Sequence, residues 1–178
     1  AQVTRDHGGL DAQRLVRVDA LGKAPDKLLF DAYAQYGAIS PDGNKVLFVR
    51  EGKNMLYRKG YRGPKASQIW LYDVETKKFD LVLQEETGSR SPMWKPDGSG
   101  FYYVGAQSGS FNIWERNLEN GEEKQLTFFK DDSVILPRIS RNGKTILFRH
   151  QFDFYRFHPT SKEPPAKIDL WCENDTER

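Results

Sequence analysis

A chain of 178 residues is long enough for one domain with a real core, and its 38% hydrophobic and 13% aromatic content exclude a disordered segment. The formal charge of +2 gives no reason to expect nucleic acid or a membrane as partner, and no apolar run reaches the length of a membrane-spanning helix. The single cysteine, Cys172, excludes a disulfide framework and leaves the compartment open: cytoplasmic, periplasmic or secreted.

The chain starts without an initiator Met or an apolar leader, so it reads as cut or processed, with His7 in a mobile N-terminus. Gln13–Ala20 and Asp26–Phe30 read as two strands. A short strand at Tyr36–Ser40 leads into the turn Ser40-Pro41-Asp42-Gly43, followed by the strand Lys45–Val49. The turn has a clear mechanism. Pro presets φ at the first corner, Asp bonds to nearby backbone, and Gly takes the left-handed position. A basic loop, 51–67, follows, and then "QIWLYDVETKKFDLVL" (Gln68 to Leu83), which reads as strand, tight turn, strand.

The pattern then repeats. Lys95-Pro96-Asp97-Gly98 precedes Phe101–Val104, and "FNIWERNLENGEEKQLTF" (Phe111 to Phe128) is the second strand pair. Ser140-Arg141-Asn142-Gly143 precedes Thr145–Phe148, and Asp153 to Trp171 is the third pair with a Pro-rich turn. The third turn replaces Pro with Arg141 but keeps Asn-Gly, itself a hairpin signal. Spacing tests the alignment. Gly43 to Trp70, Gly98 to Trp114 and Gly143 to Tyr155 are 27, 16 and 12 residues apart, whereas Trp70 to Gly98 and Trp114 to Gly143 are 28 and 29. The variation falls in one loop, as in a repeating scaffold with one tolerant connection.

Four antiparallel strands per unit, with apolar residues on both faces of Lys45–Val49, Phe101–Val104 and Thr145–Phe148, describe a propeller blade that must be sandwiched between neighbours. The expected fold is therefore all-β: a β-propeller fragment of about three four-stranded blades plus part of a fourth. The expected units are 1–35 (a partial blade), 36–88 (a blade with the basic loop 51–67), 89–132, and 133–178 (a blade with an acidic tail). Closed propellers have four to eight blades, so end blades standing alone would expose apolar faces and strand edges. An ordinary β-sandwich built from hairpins is the alternative.

The residues hold no catalytic constellation and call for no cofactor. "GAQSGS" (Gly105 to Ser110) has the wrong spacing for a nucleophile elbow. His150 and His158, with Asp153 between them and Cys172 beyond, lack the tight pairing of a zinc site. The acid pairs Glu85-Glu86, Glu122-Glu123 and Asp131-Asp132 fall at turns, where solvated charge is expected, and no EF-hand loop is present. In the loop 51–67, Lys53, Arg58, Lys59, Arg62 and Lys65 oppose only Glu51, for a net charge of +4, with Tyr57 and Tyr61 interleaved. A solvated insertion, a docking loop using Arg58, Lys59 and Arg62, and nucleic-acid stacking are the readings open for it; the rest of the chain has no basic stripe to extend the last. The first strand of each blade faces a propeller's axis in alternation, which puts Lys95 and Arg138 forward as channel-lining cations suited to a peptide carboxylate.

Neither Gly-His nor Trp-Asp dipeptides of WD40 blades occur, and the paired glycines of Kelch blades are absent from the repeats. "SPDG" or "KPDG", an apolar strand, "IW" (Ile69-Trp70, Ile113-Trp114), a turn and "QLTF" (Gln125 to Phe128) resemble the PD40 repeats of TolB-like propellers. "LLFDAYAQYGAISPDGNKVLFVR", "FRHQFDFYRFHP" and "IDLWCEND" are most similar to the N-terminal propeller of bacterial tricorn-type serine peptidases. That resemblance implies a non-catalytic segment that guides or gates peptides and scaffolds assembly. Its partners would be peptides or proteins, the remaining blades and the catalytic domains of the parent, for which the resemblance implies a homo-oligomer. Prolyl-oligopeptidase-type propellers and pure TolB-like interaction propellers are the alternatives the same repeats imply.

Overall fold

The computed structural model describes the backbone of residues 2–3 and, in full, residues 13–52 and 61–170. The expectation of a mobile N-terminus, Arg58 and Lys59, and Cys172 with the acidic tail lie outside the described residues. Three four-stranded antiparallel sheets follow one another along the chain. The first holds β4 (Gln35–Ile39), β5 (Lys45–Arg50), β6 (Gln68–Asp73) and β7 (Phe79–Gln84) in sequential order. The second holds β8 (Ser89–Trp94), β9 (Gly100–Gly105), β10 (Asn112–Asn117) and β11 (Glu123–Gln125). The third holds β12 (Val134–Ile139), β13 (Ile146–His150), β14 (Asp153–Phe157) and β15 (Ala166–Lys167). Ahead of them lies a smaller sheet of β1 (Gln2–Val3), β2 (Arg14–Arg17) and β3 (Lys27–Leu28), shorter than the strands expected there and with one strand more.

The three Gly turns have one geometry. Gly43, Gly98 and Gly143 have φ of 79°, 71° and 68°. Each donates its N–H to the residue three back: Ser40, Lys95 and Ser140. Asp42, Asp97 and Asn142 each accept the N–H two residues on. In the first and third turns the serine closes the hairpin, its Oγ accepting from Lys45 N–H at 2.8 Å and Thr145 N–H at 3.0 Å. These bonds favour the carboxylate form and hold the Asp42 and Asp97 carboxyls below their usual range; the Ser40 hydroxyl leads for Asp42 and the Ser99 N–H for Asp97.

Core formation follows from side-chain alternation. Val46 and Phe48 of β5 pack with Leu15 and Phe30 of the preceding segment, whereas Leu47 and Val49 pack with Trp94, Phe101 and Tyr103 of the next sheet. In β9, Phe101 and Tyr103 face back, and Tyr102 and Val104 face forward onto Ile146 and Phe148. Each hydrophobic cluster is thus a seam between two sheets. This is why β5 and β9 carry apolar residues at consecutive positions.

The third sheet is the last of the three, and it exposes one apolar face, as expected of an end blade, although its apolar run suggests burial on both sides. Ile146 and Phe148 are buried, but Leu147 is 47% exposed, where its register equivalents Leu47 and Tyr102 are 0% and 3% exposed. The physical reason is position: no further sheet covers the outer face of β12–β15 among the described residues, and Phe154 is exposed beside Leu147. Leu47→Ala is expected to destabilise by about 2–5 kcal/mol and Leu147→Ala by less than about 0.5 kcal/mol, measured by urea unfolding.

Candidate functional site

The innermost strands β4, β8 and β12 converge on one recess of about 360 Å³, walled by Tyr36–Ile39, Ser91–Trp94 and Pro137–Ile139. Each carries a β-bulge at the same place, between Gln35 and Ala38, Arg90 and Met93, and Ile135 and Arg138. In each, two residues oppose one buried aromatic: Phe48, Tyr103 or Phe148. The first bulged residue, Tyr36, Ser91 or Leu136, has φ of 52°, 53° or 51°. A non-glycine residue in the left-handed region costs about 1–2 kcal/mol, and the same strain recurs three times on the axis-facing strands. The second bulged residue is Gly37, Pro92 or Pro137. Trp94 spans the first two strands, its Nε1–H donating to Ala38 O at 2.9 Å.

The structure separates the two cations expected near the axis. Arg138 lines the recess, exposed, with an Nη1–H bonded to Pro137 O at 2.8 Å. Lys95 lies one step further, in the turn, where its Nζ is 2.8 Å from Glu115 Oε1. The two are not register equivalents: Arg138 matches Ala38 and Met93, and Lys95 matches Ser40 and Ser140.

Sequence reasoning missed a third cation. Arg90, at the start of the β8 bulge, is 6% exposed, its guanidinium carbon 3.7 Å from the Phe111 ring centroid and its Nη2 without a hydrogen-bond partner. Burial pushes its pKa down to about 10, opposed by the Tyr36 phenol. Nothing in "ETGSRSP" marked this arginine as buried; the folding of the second sheet, which brings Phe111, just before β10, under β8, does so.

A second recess, of about 660 Å³, opens beside the loop that leads into β6. Arg62, Gln68, Gln84, Glu85 and Glu86 line it, and Arg62 Nη1 is 3.2 Å from Glu86 Oε2. Of the three expected docking cations, Arg62 is the one the structure describes.

The carboxylate that acts most strongly on Glu85 is not its chain neighbour. Glu85 is partly desolvated, which raises its pKa, and the charge of Glu123 on the next sheet raises it further, against the pull of Arg116. Glu123 itself pairs with Arg116 and accepts from Tyr103 OH at 3.1 Å. Contrary to the expectation of solvated turn charge, Glu85 therefore titrates in a partly buried setting. Its raised folded-state pKa means the folded protein binds the proton more tightly than the unfolded chain. That stability is present at low pH and is lost as pH rises from the ordinary value of 4.5 through the raised one. Glu85→Gln is expected to raise the melting temperature at pH 7 and to flatten its decline between pH 4 and 7, read by circular dichroism.

The remaining polar candidates are held structurally. His150 Nε2 is 3.2 Å from Asp131 Oδ1, and His158 Nδ1 is 2.8 Å from Lys144 O, so the two histidines serve different strand ends. Ser110 Oγ donates to Lys130 O, and Ser108 Oγ accepts from Gln125 Nε2. Among the described residues no group of His, Cys, Asp and Glu is arranged to hold a metal ion.

Residues 2–163 match the profile of a family described as the Tricorn protease N-terminal beta propeller domain. The chain is 26% identical over 132 residues to dipeptidyl-peptidase 5 of Porphyromonas gingivalis, covering 71% of this chain and 18% of that protein. It is 28% identical over 134 residues to the tricorn protease of Thermoplasma volcanium, covering 75% of this chain and 12% of that protein. The fold resembles TolB from Acinetobacter baumannii, with a TM-score of 0.69 at 18% identity over 88% of this chain and 37% of that one. It also resembles a crystal structure of the tricorn protease, with a TM-score of 0.60 at 18% identity over 98% of this chain and 22% of that one. The chain thus spans less than a fifth of these two curated relatives.

Proposed function

Because this chain belongs to the family of tricorn protease N-terminal β-propeller domains, we propose that it is the non-catalytic propeller segment of a tricorn-like serine peptidase, guiding or gating peptides on their way to catalytic domains elsewhere in the parent. The observation that carries this reading is the axial recess, where three equivalent bulged strands meet. Its walls are mostly apolar, with Trp94, Met93 and Ile139 among them, and Arg138 is its charged member. Apolar walls with one cation suit a peptide presenting an apolar side chain and a carboxylate. The remaining blades and catalytic domains of the parent are the partners this reading calls for, in an assembly that extends to homo-oligomers.

The test is peptide binding by fluorescence anisotropy. Arg138→Glu is expected to weaken binding of a hydrophobic peptide with a free C-terminus by about 10-fold and to leave its C-terminal amide unaffected, since a charge-assisted bond is worth about 1.5–3 kcal/mol. Equal affinities of wild type and variant for the acid would defeat the reading.

Besides the propeller of a prolyl-oligopeptidase-type enzyme, a second reading is a TolB-like propeller that docks another protein. The recess at Arg62 and Glu86 favours it, because a polar, open site away from the axis suits a protein surface better than a threaded peptide. Loss of a protein partner, but not of peptides, on Arg62→Glu would select it.

A further inference from the structure

The three inner strands differ in one respect that decides what can pair with them. All are edge strands, so each presents main-chain groups toward the axis. Their direction follows from the turns. Ser40 N–H donates to Lys45 O, Lys95 N–H to Gly100 O and Ser140 N–H to Thr145 O, each within its own hairpin. By alternation, the N–H groups of Ile39, Trp94 and Ile139 point away from their partner strands, into the recess. Two residues earlier the same parity falls on Gly37, Pro92 and Pro137. Proline has no N–H, and it is tolerated in a sheet where no ladder donor is needed. Its presence at two of three equivalent sites shows that the sheet does not require an amide there.

β8 and β12 are therefore blunted, each offering a single axis-facing donor in this stretch. β4 alone of the three keeps two, at Gly37 and Ile39, spaced by two residues as a pairing strand needs. Its neighbour on the recess wall is fixed by the Trp94 indole bonded to Ala38 O. Ile39 is 66% exposed, so the edge is open.

We propose that the axis edge of β4, at Gly37 and Ile39, is a strand-addition site for the main chain of an extended peptide. The inference deepens the reading of the recess as a peptide path and rests on it. Recognition through main-chain groups accepts many sequences, with side chains sorted only by the apolar wall. The prolines at 92 and 137 then act as register control, leaving one edge of the three on which a peptide can lie.

The test uses a fluorescein-labelled, end-blocked pentapeptide of alternating threonine and valine. Gly37→Pro copies the backbone already present at Ser91-Pro92 and Leu136-Pro137 and removes the donor. Gly37→Ala is the reference, because it adds the same crowding against the flexible end of Leu15, 2.7 Å from a Cβ there, and keeps the N–H. Gly37→Pro is expected to bind about tenfold more weakly than Gly37→Ala, the effect of one hydrogen bond. Two N-methylated forms of the peptide, on odd or on even amides, test the wild type directly: one should bind about tenfold more weakly and the other like the parent. Equal binding by the two Gly37 variants, or by all three peptides, overturns strand addition while leaving the peptide path intact. Failure of the wild type to bind the unmodified peptide overturns strand addition, and the free-acid peptide with Arg138→Glu then decides the peptide path by itself. Should Gly37→Pro lose its cooperative melting transition, the N-methyl pair decides.

Discussion

Gly143→Ala is expected to destabilise the protein by about 3 kcal/mol or more, while Gly43→Ala and Gly98→Ala each cost about 1 kcal/mol. All three glycines sit in the left-handed region, so a side chain at any of them is strained. The difference lies in what a Cβ would meet. At Gly43 and Gly98 the space is open. At Gly143 a Cβ would overlap Pro96 Cγ and lie 2.6 Å from its Cδ. Pro96 is the corner of the second turn, so the turns of adjacent sheets nest, and the third must lack a side chain where the second has a ring. A proline ring cannot swing aside as a long side chain can. Overpacking of this kind adds about 1–3 kcal/mol to the backbone strain. Guanidinium unfolding of the three variants gives the ranking, and Pro96→Ala combined with Gly143→Ala should recover the overpacking part and leave the backbone part. Equal losses at the three glycines would refute the nesting of the turns.

The second large effect is expected at Asn112. Its side chain is buried, with all four of the bonds that structure gives it satisfied. Nδ2 donates to Ser110 O and Phe129 O, and Oδ1 accepts from Thr127 Oγ1 and Phe129 N–H. Thr127 Oγ1 in turn accepts Ile113 N–H at 2.9 Å. The reason lies in the short fourth strand: β11 ends at Gln125, Leu126 and Thr127 N–H then converge on Ile113 O, and Phe129 beyond them is held by Asn112. Asn112 supplies from its side chain the bonds a longer strand would supply from its backbone. Asn112→Ala leaves Phe129 N–H and Phe129 O without these partners, and is expected to cost about 3 kcal/mol. Thr127→Val is expected to cost about 1–2 kcal/mol, and the double variant less than the sum, since both remove the same bond. Additive losses in urea melts would show that the two residues act independently.

The parts of the fold that were legible in the sequence are those governed by local chemistry. Asp-Gly and Asn-Gly turns announce themselves because few residues accept their dihedral angles. The double-faced apolar runs at Val46–Val49 and Phe101–Val104 signalled sheets covered on both sides. At Ile146–Phe148 the same pattern leaves Leu147 exposed, as expected of an end blade, because a sequence run reports what a strand can bury and not whether a neighbour is there to bury it. The candidate site was legible only in part. The inner strands were found from their place before each turn, but the bulges within them were not. Each bulge inserts one residue and reverses the facing of what precedes it, and Tyr36, Ser91 and Leu136 share no residue type that would reveal it. Arg90 and the Glu85 and Glu123 pair escaped for a related reason, since their surroundings come from residues distant in sequence: Phe111, between β9 and β10, for Arg90, and the next sheet for Glu85.

The sequence by itself determined the repeat, its four-strand unit, its turns and the family to which it belongs, because hairpin geometry and two-sided burial are written into short stretches of chain. Only the tertiary structure decided which main-chain groups face the axis, which cation lines the recess, which arginine is buried, and which sheet face stays uncovered. Those properties depend on contacts between sheets and on register within them, and a shift of one residue exchanges the two faces of a strand while leaving its composition unchanged.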